Sequence, residues 1–155
     1  MSAVVHSINI SRQGGVPKLP INKAQIKFEG VDGDFNKFRT EKKNSTGTRA
    51  VTLFSLEQIE KLKSEGHSID VGTTGENITI EGVDWPSLEV GNRLMIGEAM
   101  IELSEPTAPC GKIGKSFIDG AFSRIDHELE LGWSRWSASV IEEGHVEVGN
   151  QVIIL

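Results

Sequence analysis

The chain contains a single cysteine, Cys110, which lies in the segment Pro109-Cys110-Gly111-Lys112. Pro106 and Pro109 fix their own φ and disfavour helix in the residue before each, so we predict that 107–110 is a loop rather than a helical turn or a central strand. Gly111 allows a bound group to approach the backbone closely, and the positive charge of Lys112 favours the thiolate, which is both nucleophile and metal ligand. The alternative is a buried cysteine that acts only as a small apolar side chain.

Polar residues before the middle of the chain supply further candidates. Gly30 and Gly33 bracket a turn whose last residue is Asp34. Asp34 is either a site residue or an Asx-type stabiliser of the turn. The stretch 35–48 is basic in an otherwise acidic chain, so Arg39 in this stretch and Arg49 just after it are candidates for binding a phosphate. The alternative for this stretch is a solvated charged face.

The segment Gly75-Glu76-Asn77 precedes an alternating run of apolar and polar residues that predicts a strand. It is unusually polar for the start of a strand. Either the turn requires these residues, or Glu76 and Asn77 form a wall of a binding site. Further along, Gly114-Lys115-Ser116 resembles part of a phosphate-binding P-loop, but Pro109 stands where that motif needs its first glycine, so nucleotide hydrolysis is not favoured.

Composition limits the class of protein. The length of 155 residues predicts one domain, 1–155, large enough for its own hydrophobic core. A net charge of −6 disfavours nucleic acid or an anionic membrane as the main partner. One cysteine excludes an internal disulfide and a Cys-rich metal site, and the four histidines lack ligand spacing. With no signal segment or membrane span in the sequence, we expect a cytoplasmic protein.

The remaining elements are predicted to be mostly strands. Alternating or β-branched runs indicate seven or eight short strands, including a hairpin around Gly97-Glu98 that leads towards Cys110. One clear helix begins after Ser55, which forms a capping box with Gln58, and ends at Gly66. The predicted fold class is therefore mostly β, a closed or nearly closed barrel with one clear peripheral helix.

Taken in order, these pieces resemble the MOSC domain family, named for the C-terminal domain of molybdenum cofactor sulfurases. The resemblance extends nearly from end to end and is carried by the following segments: Gly33-Asp34, Arg49-Ala50-Val51, Gly75-Glu76-Asn77-Ile78 with Gly82, the corner from Gly91 to Gly97, Pro109-Cys110, and the closing strands from Ser137 to Leu155. Ser45-Thr46-Gly47-Thr48 stands where many relatives carry a His-Gly-Gly segment, so that wall of the site departs from the family pattern.

The resemblance implies a barrel that binds the molybdenum cofactor (molybdopterin) with Cys110 as the chemical residue. Cys110 would either ligate molybdenum in an oxidoreductase acting on N-hydroxylated compounds or carry sulfur to the cofactor as a persulfide. A non-catalytic binding or delivery module is a third alternative. The other residues that the resemblance assigns to cofactor binding are Asp34, Arg49, Glu76 and Asn77, with Arg39 and Lys112 for the pterin phosphate.

The resemblance also bears on partners. Larger sulfurases join a pyridoxal phosphate-dependent desulfurase domain to the MOSC domain, but a chain of this length has no room for that domain. Pyridoxal phosphate is therefore not expected here. Sulfur would come from a separate cysteine desulfurase, and electrons from a separate electron-transfer protein.

Overall fold

The structure is a computed structural model that describes residues 2–35 and 47–155. Seven strands form a ring, in which each strand pairs with the next and the last pairs with the first. In ring order they are β1 (Ala3–Ile10), β6 (Ile78–Glu81), β5 (Val51–Ser55), β9 (Arg135–Glu142), β8 (Ala99–Thr107), β7 (Arg93–Ile96) and β11 (Gln151–Ile154). The short strand β2 (Leu19–Ile21) pairs with the outer part of β1. The predicted mostly-β fold with a closed barrel is confirmed.

The barrel is antiparallel except at one pair of strands, β5 and β6. Parallel neighbours need a crossover connection, and here it contains the helix Leu56–Ser64. Ser55 caps this helix, since its Oγ accepts a hydrogen bond from the backbone N of Gln58 at 3.2 Å. Ile59 and Leu62 are buried on the barrel side. This is the peripheral helix that the sequence predicts.

A second, three-stranded sheet packs beside the barrel. It consists of β3 (Lys23–Lys27), β4 (Gly30–Val31) and β10 (Gly144–Glu147), in the order β10-β3-β4. Ile26 and Val146 from this sheet are buried in the same core as the barrel residues. The chain turns sharply after β4 to reach Asp34, so this sheet positions the Asp34 turn against the end of the barrel.

Strand β8 is longer than the sequence predicts. It runs through Pro106 to Thr107, which pair with Trp136 and Arg135 of β9. The prediction of a loop from Thr107 onward is therefore wrong by one residue. Proline is tolerated because β7 covers only 99–102 of β8, which leaves the outer end of β8 with a neighbour on one side.

The segment between β8 and β9 contains 3-10 turns at Gly111–Ser116, Ile118–Gly120 and Phe122–Ile125. The buried side chains of Ile113, Phe117 and Ile125 attach it to the core. In the described part of the chain, no helix has the length and apolar character needed to cross a membrane.

Strand pairing brings the candidate residues to one end of the barrel. Thr107 at the end of β8 lies opposite Arg135 at the start of β9. Leu53 pairs with both Trp136 and Ile78, so the start of β6 is level with the start of β9. The loop that carries Cys110 and the segment that carries Glu76 and Asn77 therefore emerge at the same edge of the barrel.

Candidate functional site around Cys110

Cys110 is exposed, with its backbone extended at φ −143° and ψ 172°. It lies three residues beyond the end of β8 and immediately before the turn Gly111–Ser116. Its carbonyl oxygen accepts a hydrogen bond from the backbone N of Ile113 at 3.1 Å, which fixes the start of that turn. The thiol is thus presented to solvent by a backbone that is held on both sides, and it is not the buried apolar cysteine of the alternative interpretation.

Arg135 connects this loop to the barrel. Its side chain is buried, with the residue only 6% exposed. One terminal nitrogen donates to the carbonyl oxygen of Thr74 at 2.7 Å, and the other donates to that of Ala108 at 3.3 Å. The guanidinium therefore joins the segment before Glu76 to the segment before Cys110.

Arg135 lies within electrostatic reach of Glu76 and Cys110. Burial lowers the pKa of Arg135, and the negative charges of Glu76 and of the Cys110 thiolate oppose that shift. Arginine nevertheless stays protonated in proteins, so a fixed positive charge lies within electrostatic reach of the thiol. The sequence suggests that Lys112 supplies a positive charge near Cys110, and the buried side chain of Arg135 can supply one as well.

The Nε atom of Arg135 is buried and has no hydrogen-bond partner among residues 2–35 and 47–155. Leaving a buried donor unpaired costs about 1–3 kcal/mol, so such groups are rare and often functional. Sequence reasoning missed Arg135, because it placed the start of the last long strand at Ser137. The sequence signal at this position is an arginine next to Trp136, two residues before the predicted strand, and this alone does not indicate a buried side chain.

Glu76 is fully buried and accepts three hydrogen bonds. Thr74 Oγ1 donates to one carboxylate oxygen at 3.0 Å, and the backbone N of Gly72 and Thr79 Oγ1 donate to the other, each at 3.1 Å. Burial raises the pKa of Glu76, while these hydrogen bonds act in the opposite direction. The side chain closes the turn 70–77, whose carbonyl at Thr74 holds Arg135.

Asp34 and Asn77 form a second buried cluster with Lys18. One Asp34 oxygen accepts from the backbone N of Ser11 at 2.8 Å, and the other accepts from Lys18 Nζ at 2.7 Å and Asn77 Nδ2 at 3.0 Å. Asn77 Oδ1 accepts from the backbone N of Thr52 at 3.1 Å. The cluster ties the Asp34 turn to the end of β1, to the Lys18 segment, to the segment before β6 and to β5.

The structure thus places Asp34, Glu76 and Asn77 close to one another and to the Arg135 side of the Cys110 loop. Their polar atoms are engaged within the protein. In this arrangement they hold the walls of the site, and a direct contact with a cofactor stays a prediction.

The predicted cationic residues differ in position. Lys112 is exposed and lines a cavity of about 310 Å³ beside Cys110, together with Lys115 and the hydroxyl-bearing residues Ser68, Thr73 and Ser116. Arg49 lies at the surface, where its Nε donates to Glu105 at 2.6 Å. Arg39 falls outside the described residues.

The chain belongs to the MOSC domain family, since the MOSC domain model matches residues 26–153. This assignment agrees with the resemblance that the motifs carry. The barrel, the Cys110 loop and the Asp34 turn all lie within or beside the matched range.

Particular relatives include YflK, an uncharacterized protein of Bacillus subtilis strain 168, which is 30% identical over 81 residues. That match covers 52% of this chain but 36% of YflK, so this chain spans about a third of the length of that relative. Among solved structures, YiiM from Geobacillus stearothermophilus has a TM-score of 0.72 at 19% identity, over 99% of this chain and 75% of YiiM. The YuaD protein of Bacillus subtilis has a TM-score of 0.72 at 18% identity, over 98% and 94% of the respective chains. These structures share the fold.

The side chains that could act as metal ligands determine which kind of metal centre the site fits. Within residues 2–35 and 47–155, no three His, Cys, Asp or Glu side chains are grouped so that they could hold a metal ion. A single exposed cysteine fits a metal centre that already carries other ligands in an organic cofactor. A soft thiolate is a suitable ligand for such a centre.

Proposed function

We propose that this chain binds the molybdenum cofactor through Cys110 and forms the cofactor-carrying component of an oxidoreductase that acts on N-hydroxylated compounds. The observation that carries the proposal is the exposed Cys110 thiol on a loop held by buried Arg135. Membership of the MOSC family supports the choice of cofactor. When bound, the cofactor would supply the redox chemistry.

The protein's own residues would then bind and orient. Cys110 would provide one thiolate ligand, and Arg135 would stabilise its negative charge. Lys112, which lines a cavity with Lys115 and three hydroxyl-bearing residues, would bind a phosphate of the pterin. Arg49 is a weaker candidate, because Glu105 already accepts a hydrogen bond from it.

The two buried clusters would keep this arrangement fixed. Glu76 holds the turn whose Thr74 carbonyl receives Arg135. Asp34 and Asn77 join that turn to the end of β1 and to β5. Buried polar groups that are fully hydrogen-bonded give rigidity, and a metal ligand on a loop needs a rigid support.

The molybdenum and phosphorus contents of protein expressed in a host that makes the cofactor test the proposal. Wild type should contain both elements near one equivalent, whereas Cys110→Ala should lose molybdenum. Ala108→Ser, an exposed substitution on the same loop, is the matched control and should keep it. Equal molybdenum in wild type and Cys110→Ala would refute the ligand role, and no molybdenum in any of the three would refute cofactor binding.

A second candidate function is sulfur transfer, which the exposure of Cys110 also favours, since a separate cysteine desulfurase could reach the thiol directly. After incubation with a desulfurase and cysteine, intact-mass analysis should then show one additional sulfur atom that is removed by reductant and absent from Cys110→Ala. Unmodified protein would exclude this function and leave cofactor binding alone.

A further inference from the structure

A groove of about 400 Å³ lies on the outside of the barrel, next to the loop that leads to Cys110. Its floor contains Trp85, Pro106 and Trp136, and its walls are formed by residues of the segments 86–90 and 131–134 together with His127. We call it the Trp136 groove. None of the residues that we assign to cofactor binding lines it, so the proposed function leaves it without a role.

The walls of the Trp136 groove are fixed before anything binds. The Trp85 indole N–H donates to the carbonyl oxygen of Ser134 at 2.7 Å, which joins the two walls. Gly132 has φ +87° and lies so close to Pro86 that a Cβ at this position would be 2.7 Å from the proline ring. The His127 ring packs edge-on against Trp136, with 6.1 Å between centroids. A preformed groove of this kind loses little conformational entropy on binding.

The rim of the Trp136 groove exposes apolar side chains. Val90 is 63% exposed and Leu131 is 70% exposed, and both line the groove. Val90 and Leu131 thus form an exposed apolar rim above the buried rings of Trp85 and Trp136, and grouped exposed apolar side chains typically mark interaction sites.

The charge around the Trp136 groove is acidic. Glu89 lines the groove itself. A smaller cavity of about 260 Å³ shares Pro106 and His127 with it and is lined by Glu105, Asp126 and Glu128. Arg49 offsets Glu105, but Glu89, Asp126 and Glu128 are in none of the ion pairs found among the described residues. An apolar floor within an acidic rim is complementary to an apolar side chain flanked by basic residues.

We infer that the Trp136 groove docks a partner protein through a short segment in which an apolar or aromatic side chain is flanked by lysine or arginine. The smaller cavity includes Ala108, two residues from Cys110, so a partner held here lies beside the thiol. This inference extends the proposed function by assigning the surface that receives a sulfur-donor or electron-donor protein. The docking itself requires no molybdenum.

Fluorescence anisotropy with labelled peptides tests the inference on the full chain. The probe is a peptide with a Leu-Phe pair flanked on each side by two lysines, and the comparison peptides replace either the lysines by glutamate or the Leu-Phe pair by serine. The lysine-flanked Leu-Phe peptide should bind with a Kd below about 100 μM, and both comparison peptides should bind at least about tenfold more weakly.

Two leucines provide matched variants. Leu131 lines the groove, whereas Leu129, which is 71% exposed, does not. Leu131→Asp should weaken the peptide about tenfold, because it removes apolar contact at the rim, while Leu129→Asp should change binding by less than about twofold. Both positions are exposed, so both variants should fold, which thermal melts verify.

Absent binding, or equal losses in both leucine variants, would overturn the inference. Sedimentation analysis gives a further decisive outcome, since a dimer that Leu131→Asp dissociates would show that a second copy covers the groove instead of a basic partner. The molybdenum content of Leu131→Asp should equal that of wild type. A failure of peptide binding with normal molybdenum content therefore rejects the docking surface and leaves the proposed cofactor binding intact.

Discussion

Replacing Arg135 by methionine should destabilise the protein and alter Cys110 at the same time. The substitution preserves most of the volume of the side chain but removes the charge and the two hydrogen bonds to the carbonyl oxygens of Thr74 and Ala108. Hydrogen bonds from a charged donor are worth about 1.5–3 kcal/mol each, so the two together contribute about 3–6 kcal/mol. The Coulombic interaction of Arg135 with Glu76 adds to this only to the extent that Glu76 is ionised, because burial raises the pKa of Glu76.

The unpaired Nε reduces that cost. The substitution removes the buried Nε donor, whose lack of a hydrogen-bond partner within the described residues costs about 1–3 kcal/mol. Taking the midpoints of the two ranges, we expect Arg135→Met to lower the free energy of unfolding by about 2–3 kcal/mol, which is less than the roughly 5–15 kcal/mol by which a typical domain is stable.

Urea denaturation of wild type, Arg135→Met, Glu76→Gln and the double variant measures this cost and its origin. If Arg135 and Glu76 interact, the double variant should be more stable than the sum of the single effects predicts, by about 0.5–3 kcal/mol. A cost below about 1 kcal/mol for Arg135→Met, or strictly additive effects, would refute the electrostatic connection between these residues.

The same variant tests the effect of Arg135 on the thiol. A nearby fixed cation favours the thiolate, which is the form that reacts with iodoacetamide. Arg135→Met should therefore be alkylated severalfold more slowly at neutral pH, while Lys112→Met shows how much an exposed cation contributes. An unchanged alkylation rate in folded Arg135→Met would show that Arg135 supports the loop without activating Cys110.

Three further predictions concern the elements that hold the site. Lys18→Met should cost about 3–5 kcal/mol in urea denaturation, because it removes one partner of the buried Lys18–Asp34 ion pair, and a cost below about 1 kcal/mol would contradict this. Burial raises the pKa of Glu76, so the folded state binds the carboxyl proton of Glu76 more tightly than the unfolded state does. The resulting stabilisation is largest at pH values below the unfolded-state pKa near 4.5, and it is lost as the pH rises through the folded-state pKa. Glu76→Gln should remove this part of the pH dependence of stability. Ser55→Ala should lower stability by about 1 kcal/mol through loss of the hydrogen bond to the Gln58 backbone, whereas an unchanged stability would show that the cap is dispensable.

The barrel and its helix could be predicted because their signals are local. Alternation over short runs identified the strands, and Ser55 with Gln58 and Gly66 marked the helix. The hairpin around Gly97-Glu98 is present as β7 and β8. The extension of β8 through Pro106 could not be foreseen, since it depends on how far β7 reaches across the sheet.

The candidate site was only partly predictable. The Pro109-Cys110 segment and the Gly75-Glu76-Asn77 segment were recognised from their residue types, and the structure brings them to one end of the barrel through Arg135. The buried partner of Asp34, Lys18, lies in the segment between β1 and β2. Neither Lys18 nor Arg135 could be identified from the sequence, because a burial-dependent role follows from strand pairing across the barrel rather than from the residues nearby.

X-ray absorption at the molybdenum edge tests the central claim most directly, since it counts the sulfur atoms bound to the metal. Protein loaded with the cofactor is compared with Cys110→Ser loaded in the same way, in which a hydroxyl replaces the thiolate. The account predicts one sulfur fewer around molybdenum in the variant than in wild type. An identical sulfur shell in the two proteins would contradict it, because Cys110 could then not be a ligand.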